Sequence, residues 1–194
     1  MLGETSSVSS GKQPENPDWN VIVTLSEPTF RIARKLLARW GRLRPTEYHN
    51  VAVMAVKDTG AFLREFAARI EEEPGILNAM SHVVPLEHVF AFKDPAEFEA
   101  KSREIALSYA PRLAGKSFHV RLRRRGLKGT ISTPGEERFL DDVLLEALAA
   151  AGNPGRIRFD DSDYVLLIET VGESGGMTLW AAEDLKRYPF LGAA

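Results

Sequence analysis

The sequence predicts an α+β fold made of two packed units. Three observations lead there. Short runs of alternating apolar residues are interleaved with amphipathic stretches of helical period. Two capping-box patterns, Asp94-Pro95-Ala96-Glu97 and Thr133-Pro134-Gly135-Glu136, each open an apolar-striped segment. Between those two segments lies a cationic strand, Ser117 to Gly126. With 44% hydrophobic and 27% charged residues, the 194-residue chain has enough apolar material for an ordinary core.

Residues 1–17 carry a Ser-rich run followed by Pro14 and Pro17, which predicts a disordered tail. Trp19 to Leu25 is rich in Val and Ile and predicts a strand. Ser26 is the expected N-cap of a helix over 28–40, with Pro28 in its first turn and Phe30, Ala33, Leu37 and Trp40 on one face. Arg31, Lys35, Arg39 and Arg42 form a cationic stripe on another face, with no carboxylate between Glu27 and Glu47. That stripe reads either as a solvated face or as a secondary RNA contact over Arg31, Lys35 and Arg39.

A second strand is expected over 49–56, where Val51, Val53 and Ala55 alternate with Ala52 and Met54. A helix follows over 59–73 through Phe62, Phe66 and Ile70, closed by Pro74-Gly75. A third extended stretch covers 82–92. Strand, helix, strand, helix, strand within residues 18–93 predicts a small ferredoxin-like unit. The second unit, 94–191, starts with the helix opened at Asp94. It continues through the cationic strand, a helix over 133–151 lined by Phe139, Val143, Leu144, Leu148 and Ala151, and a short strand from Arg156 to Phe159. An acidic turn at Asp160-Asp161-Ser162-Asp163 leads to the apolar strand Tyr164 to Val171. A hairpin loop at 172–176 and a last strand over 177–182 follow.

In the cationic strand, Phe118, Val120 and Leu122 alternate with His119, Arg121 and Arg123, giving one apolar and one cationic face. Arg124 and Arg125 follow directly. No acidic residue lies between Lys116 and Lys128, so these guanidiniums have no local partner and are suited to an external anion, phosphate above all. The other reading is a solvated edge strand whose charges deter pairing with other chains.

Several chemistries are excluded or unsupported. The absence of cysteine removes disulfides, thiolate metal ligands and a cysteine nucleophile, and fits a cytoplasmic protein. His49, His82, His88 and His119 have no zinc-like spacing, and Asp160, Asp161 and Asp163 read as a turn, so no metal is expected. Gly172, Gly175 and Gly176 join two strands and form no phosphate loop. No Gly-x-Ser-x-Gly motif occurs. No apolar run approaches the ~18 residues of a membrane span, and the net charge of −2 leaves any nucleic-acid contact to local clusters. Trp180 and Tyr188 are either stacking platforms or core residues.

The cationic strand after a helix, Glu136-Glu137 opening the next helix, Asp161-Ser162-Asp163-Tyr164-Val165-Leu166-Leu167-Ile168-Glu169, and the closing Lys186-Arg187-Tyr188-Pro189-Phe190-Leu191 together resemble a THUMP domain over about residues 80–191. The resemblance implies tRNA binding at the acceptor stem and the single-stranded 3′ end. The residues expected to bind are Lys116, His119, Arg121, Arg123, Arg124, Arg125, Lys128, Lys186 and Arg187. THUMP proteins mostly carry a catalytic domain afterwards. This chain stops three residues after Leu191 and is similar to the stand-alone THUMP adaptors of tRNA cytidine acetyltransferase. That implies a non-catalytic protein without cofactor, acting with a separate RNA-modifying enzyme. Two rivals stay open: an RNA-modifying enzyme with unrecognised activity of its own, and a ferredoxin-like protein-interaction module with no RNA role.

Overall fold

β1 (Val21–Leu25) is apolar at four of five positions because it is one of the two inner strands of a four-stranded sheet. It is followed by α1 (Phe30–Leu37), β2 (Arg44–Pro45), β3 (Val51–Met54), α2 (Thr59–Glu72) and β4 (Met80–Pro85). The sheet order is β2-β3-β1-β4 and every pairing is antiparallel. The computed structural model describes residues 16–192. The tail expected over 1–17 therefore lies outside the described residues except for Asn16 and Pro17.

The second part of the chain runs through β5 (His88–Ala91), α3 (Pro95–Ser108), α4 (Ala110–Leu113), β6 (Ser117–Arg125), α5 (Thr133–Ala150), β7 (Arg156–Ile157), β8 (Tyr164–Val171), β9 (Ser174–Ala181) and α6 (Ala182–Arg187). Its five-stranded sheet has the order β5-β9-β8-β6-β7. β6 runs parallel to β7 and β8, while β9 is antiparallel to β8 and β5. The architecture is α+β with two sheets.

The extended stretch expected over 82–92 is two strands. β4 stays with β1, pairing Val21 with Pro85, whereas β5 crosses to the second sheet and pairs Val89 with Gly176. The chain thus changes sheet between Pro85 and His88, ahead of the junction expected at residue 93. The same pairing corrects the loop expected at 172–176: Ser174, Gly175 and Gly176 are strand residues. A Cβ on Gly175 would run into the Phe90 ring, so the glycine serves close packing rather than a turn.

Two cores hold the fold. One lies under β6, β8, α3 and α5 and includes Phe98, Phe118, Val120, Leu122, Leu140 and Leu166. The other belongs to the first sheet but also takes in Leu167, Trp180, Tyr188, Phe190 and Leu191, so the two halves share buried surface. Phe66 of α2 meets Phe190 edge-on with centroids 5.1 Å apart. Among the described residues no helix is long and apolar enough to cross a membrane.

The caps differ in part from the sequence reading. Asp94 accepts the Glu97 N–H at 2.8 Å and Glu97 accepts the Lys93 N–H at 2.9 Å, fixing the start of α3. α1 is shorter than expected, and its N-cap is Thr29 rather than Ser26. The cap of α5 is Ser132, whose hydroxyl accepts from the Gly135 N–H at 3.3 Å. Glu136 therefore does no capping. It is buried, one carboxylate oxygen has no partner among the described residues, and burial together with Glu99 pushes its carboxyl up to about 7.

β6 has β7 beside it only at Ser117 and Phe118, which leaves the rest of that edge short of partners. α5 supplies them. Asp141 accepts the Val120 N–H at 3.0 Å and Glu137 accepts the Leu122 N–H at 2.8 Å. Four residues of helix and two of strand both span about 6 Å, so an i, i+4 carboxylate pair matches alternate N–H groups of the strand.

Candidate nucleic-acid interface

The alternation in β6 has the expected result. Phe118, Val120 and Leu122 enter the core with α5, and His119, Arg121, Arg123 and Arg125 occupy the other face. The four polar side chains meet different surroundings because β8 runs alongside in register. Arg121 lies opposite Leu167, Arg123 opposite Glu169, and Arg125 opposite Val171.

Glu169 is fully buried. Its carboxylate takes Arg123 Nη1 at 3.5 Å and Arg125 Nη1 on its second oxygen. The absence of a partner inferred for these two guanidiniums is thereby corrected. Their carboxylate comes from the neighbouring parallel strand, beyond any local window. Burial pushes the Glu169 carboxyl upward and the Arg123 guanidinium downward, while Arg125 and Arg123 pull the carboxyl back. Arginine keeps its proton in proteins, and two guanidiniums left on a neutral carboxyl would be buried without a counter-charge, so the carboxylate is the form that satisfies the site.

Arg125 also donates to Thr24 Oγ1 of β1 at 3.4 Å. Just beyond, Gly126 has φ +87°, and a Cβ there would overlap the Tyr48 hydroxyl of the first half. Burial, Arg123 and Arg125 all lower the His82 imidazole. This end of β6 is therefore a joint between the halves. Arg124 is half-buried and donates to the Gly126 carbonyl, and its Nε is buried with no partner among the described residues. Lys128 is exposed in the following turn.

The other end of β6 opens into a cleft. A pocket of ≈ 340 Å³ is bounded by His119 and Arg121 of β6, Phe159 and Ser162 after β7, and Leu185 and Lys186 of α6. An adjoining hollow of ≈ 460 Å³ adds Lys116 and Asp163 and shares Asp161, Ser162, Ala182 and Lys186 with the first. Four of the expected binding residues, Lys116, His119, Arg121 and Lys186, thus converge here. Lys116, Arg121 and Lys186 are exposed, as is Arg187, whose guanidinium lies 5.3 Å over the Tyr188 ring.

Sequence reasoning missed one lining residue and two neighbours of the cleft. Phe159 is 70% exposed, which is unusual for so large an apolar side chain. Arg156 and Arg158 stand beside the start of β6, through the parallel pairing of Ser117 with Arg156 and the Arg158 N–H bond to the Phe118 carbonyl. An exposed aromatic within a cluster of arginines was the available signal. The aromatics considered as stacking platforms, Trp180 and Tyr188, are core residues at 8% and 6% exposure. The acidic turn is structural at Asp163, which accepts both the Ser117 N–H and hydroxyl at 2.8 Å and is held below the usual carboxylate range by them. Among the described residues no three His, Asp or Glu side chains are gathered for a metal.

His119 forms the floor of the cleft. Its Nδ1 lies 3.1 Å from the Arg158 carbonyl and 3.2 Å from Ser162 Oγ. A carbonyl only accepts, so Nδ1 carries the proton and the hydroxyl accepts or stands aside. Burial and the nearby Arg121 push the imidazole below its ordinary value, against the Arg158 carbonyl and Glu137. The ring is neutral at pH 7, with Nε2 as an acceptor. The secondary stripe of Arg31, Lys35 and Arg39 is exposed, and the Arg39 guanidinium lies 4.9 Å over Trp40 and 4.0 Å from Glu65.

No family model matches the sequence, and no curated protein matches it. Solved structures do match in fold. PH1313 from Pyrococcus horikoshii Ot3 superposes on 86% of this chain at 12% identity with a TM-score of 0.57. TrmN from Thermus thermophilus covers 83% at 18% identity with a TM-score of 0.56. A 4-thiouridine synthetase solved with RNA and ATP covers 84% at 12% identity with a TM-score of 0.53. The chain spans 55%, 44% and 41% of those three proteins. At such identities the likeness is one of fold, and it takes in both sheets of the present chain.

Proposed function

We propose that this chain is a tRNA-binding protein of the THUMP kind that presents the acceptor stem and 3′ end to a separate RNA-modifying enzyme. In this reading the first half is a ferredoxin-like unit, supported by its β-α-β-β-α-β order and antiparallel sheet. The second half is the RNA-binding unit. The fold likeness to a 4-thiouridine synthetase solved with RNA supports the choice of ligand.

The observation that carries the proposal is the convergence of Lys116, Arg121 and Lys186 on one cleft beside the exposed Phe159. Cations on a groove hold phosphates, and an exposed aromatic stacks an unpaired base. A duplex stem offers side chains mainly phosphate and 2′-hydroxyl groups, so recognition there follows shape more than sequence. Arg123 and Arg125 act indirectly, by fixing the strand that carries Arg121. The chain has no catalytic role in this reading, and the partner supplies the chemistry. A tRNA cytidine acetyltransferase is the first partner to test.

The test is binding of unmodified tRNA by fluorescence anisotropy over a range of salt, followed by modification assays with and without the candidate enzyme. Salt-dependent binding and an enzyme whose turnover rises with this protein are expected. Nucleoside modification by the chain alone would overturn the non-catalytic role, and absence of tRNA binding at low salt would overturn the whole reading.

A further inference from the structure

His119 is a buried group at the bottom of a cleft whose other polar groups are mostly exposed. Its Nδ1–H is committed to the Arg158 carbonyl, with Ser162 Oγ beside it. Nε2, the ring nitrogen not engaged by Arg158 and Ser162, makes no hydrogen bond among the described residues, and the ring lines the cleft. In the neutral ring this atom is an acceptor and nothing else. Asp161 lines the same cleft with a second acceptor. The donors there, Arg121 and Lys186, are exposed cations suited to phosphate. The Phe159 ring is 5.6 Å from the His119 ring at 46°, so a base lying on Phe159 turns one edge toward His119.

We infer that the cleft selects an unpaired base with an amine, as at adenine N6 or cytosine N4, over one with a carbonyl at the same position, and that His119 makes the choice. The inference rests on the RNA-binding reading of this site and adds base specificity to it. An amine gives Nε2 the hydrogen it needs. A carbonyl oxygen meets a lone pair and leaves two desolvated acceptors facing each other. The pocket volume of ≈ 340 Å³ is that of a small-molecule site and suits one nucleotide.

The experiment uses the full chain and one RNA hairpin with a three-nucleotide unpaired tail. Tails of adenosine and inosine present an amine against a carbonyl, with a proton added on N1 in inosine, and tails of cytidine and uridine differ in the same two ways. A purine riboside tail, which keeps adenosine's ring and lacks only the amine, is therefore measured beside them and is expected to bind as weakly as inosine. Affinities measured by anisotropy at fixed salt are expected to favour adenosine over inosine, and cytidine over uridine, by about tenfold, the worth of one good hydrogen bond. In His119→Phe, with folding checked by its melting curve, the tails are expected to bind alike. The native comparison decides even where that variant does not fold. Equal affinity for the paired tails, or a preference for inosine, overturns the inference and leaves RNA binding standing. Failure of every hairpin to bind at low salt overturns RNA binding, and this inference with it.

Discussion

Arg123 and Glu169 face each other across the parallel strands β6 and β8, and the carboxylate, shared with Arg125, is completely buried. A buried ion pair of this kind is costly to break from one side, because the remaining charge loses its partner in a poorly solvated place. Glu169→Gln is therefore expected to destabilise the protein by about 3–5 kcal/mol. At about 2–4 °C per kcal/mol for a chain of this size, the melting temperature should drop by several degrees or more. Arg121→Ala, on the same strand face but exposed, should stay within ~0.5 kcal/mol of the native protein. Thermal melts of the two variants make the comparison.

Phe159 and Trp180 should behave oppositely. Phe159→Ala removes an exposed ring and is expected to leave the melting temperature nearly unchanged. It should weaken single-stranded RNA binding by about 1–3 kcal/mol through lost stacking. Trp180→Ala empties a buried site in the core shared by both halves and should cost about 3–5 kcal/mol of stability. Melts and RNA titrations on both variants separate the two roles.

Glu136 gives the stability a pH dependence whose sign is fixed. Its carboxyl is near 4.5 when exposed and about 7 in the fold, so the folded protein binds the extra proton. The stabilisation this provides is fully present below pH ~4.5 and is lost as pH rises through 7. Glu136→Gln is expected to raise the melting temperature at pH 8 and change it little at pH 4.5. Asp141, also at about 7, keeps part of the slope in the variant.

His119 predicts a pH dependence of base choice. Arg121, Glu137, the Arg158 carbonyl, Asp161 and Lys186 surround it, and the ring is held below its ordinary value. Acidification places a proton on Nε2 and turns the acceptor into a donor. The preference for adenosine over inosine should be full at pH 7.5 and shrink as pH falls through the lowered imidazole value. A series of paired titrations from pH 7.5 downward measures it.

What the sequence disclosed follows from how far apart the interacting residues are. The alternation of Phe118, Val120 and Leu122 is local, and it located both the strand and its buried face. The cap at Asp94 is local too, and it formed as expected. The partner of Arg123 lies 46 residues on, joined only by parallel pairing, so the charge run looked unpaired. The same parallel pairing hid Arg156, which arrives beside Ser117 on a two-residue strand, and Arg158, whose N–H bonds to the Phe118 carbonyl just after it. β2 was illegible for a different reason: it has two residues, one of them Pro45, and shows no alternation. Gly175 and Gly176 looked like a loop because the Phe90 ring and Leu86 side chain that require them belong to a distant segment.

The salt dependence of tRNA affinity tests the central claim most directly, in the native chain and in a variant with Lys116, Arg121 and Lys186 all replaced by Ala. All three side chains are exposed, so the melting temperature should be preserved. Each lost phosphate contact removes about 0.7–0.9 from the slope of log affinity against log salt. The account predicts weaker binding and a slope smaller in magnitude by roughly 2 to 3. A variant with native melting temperature, native tRNA affinity and an unchanged slope would contradict it.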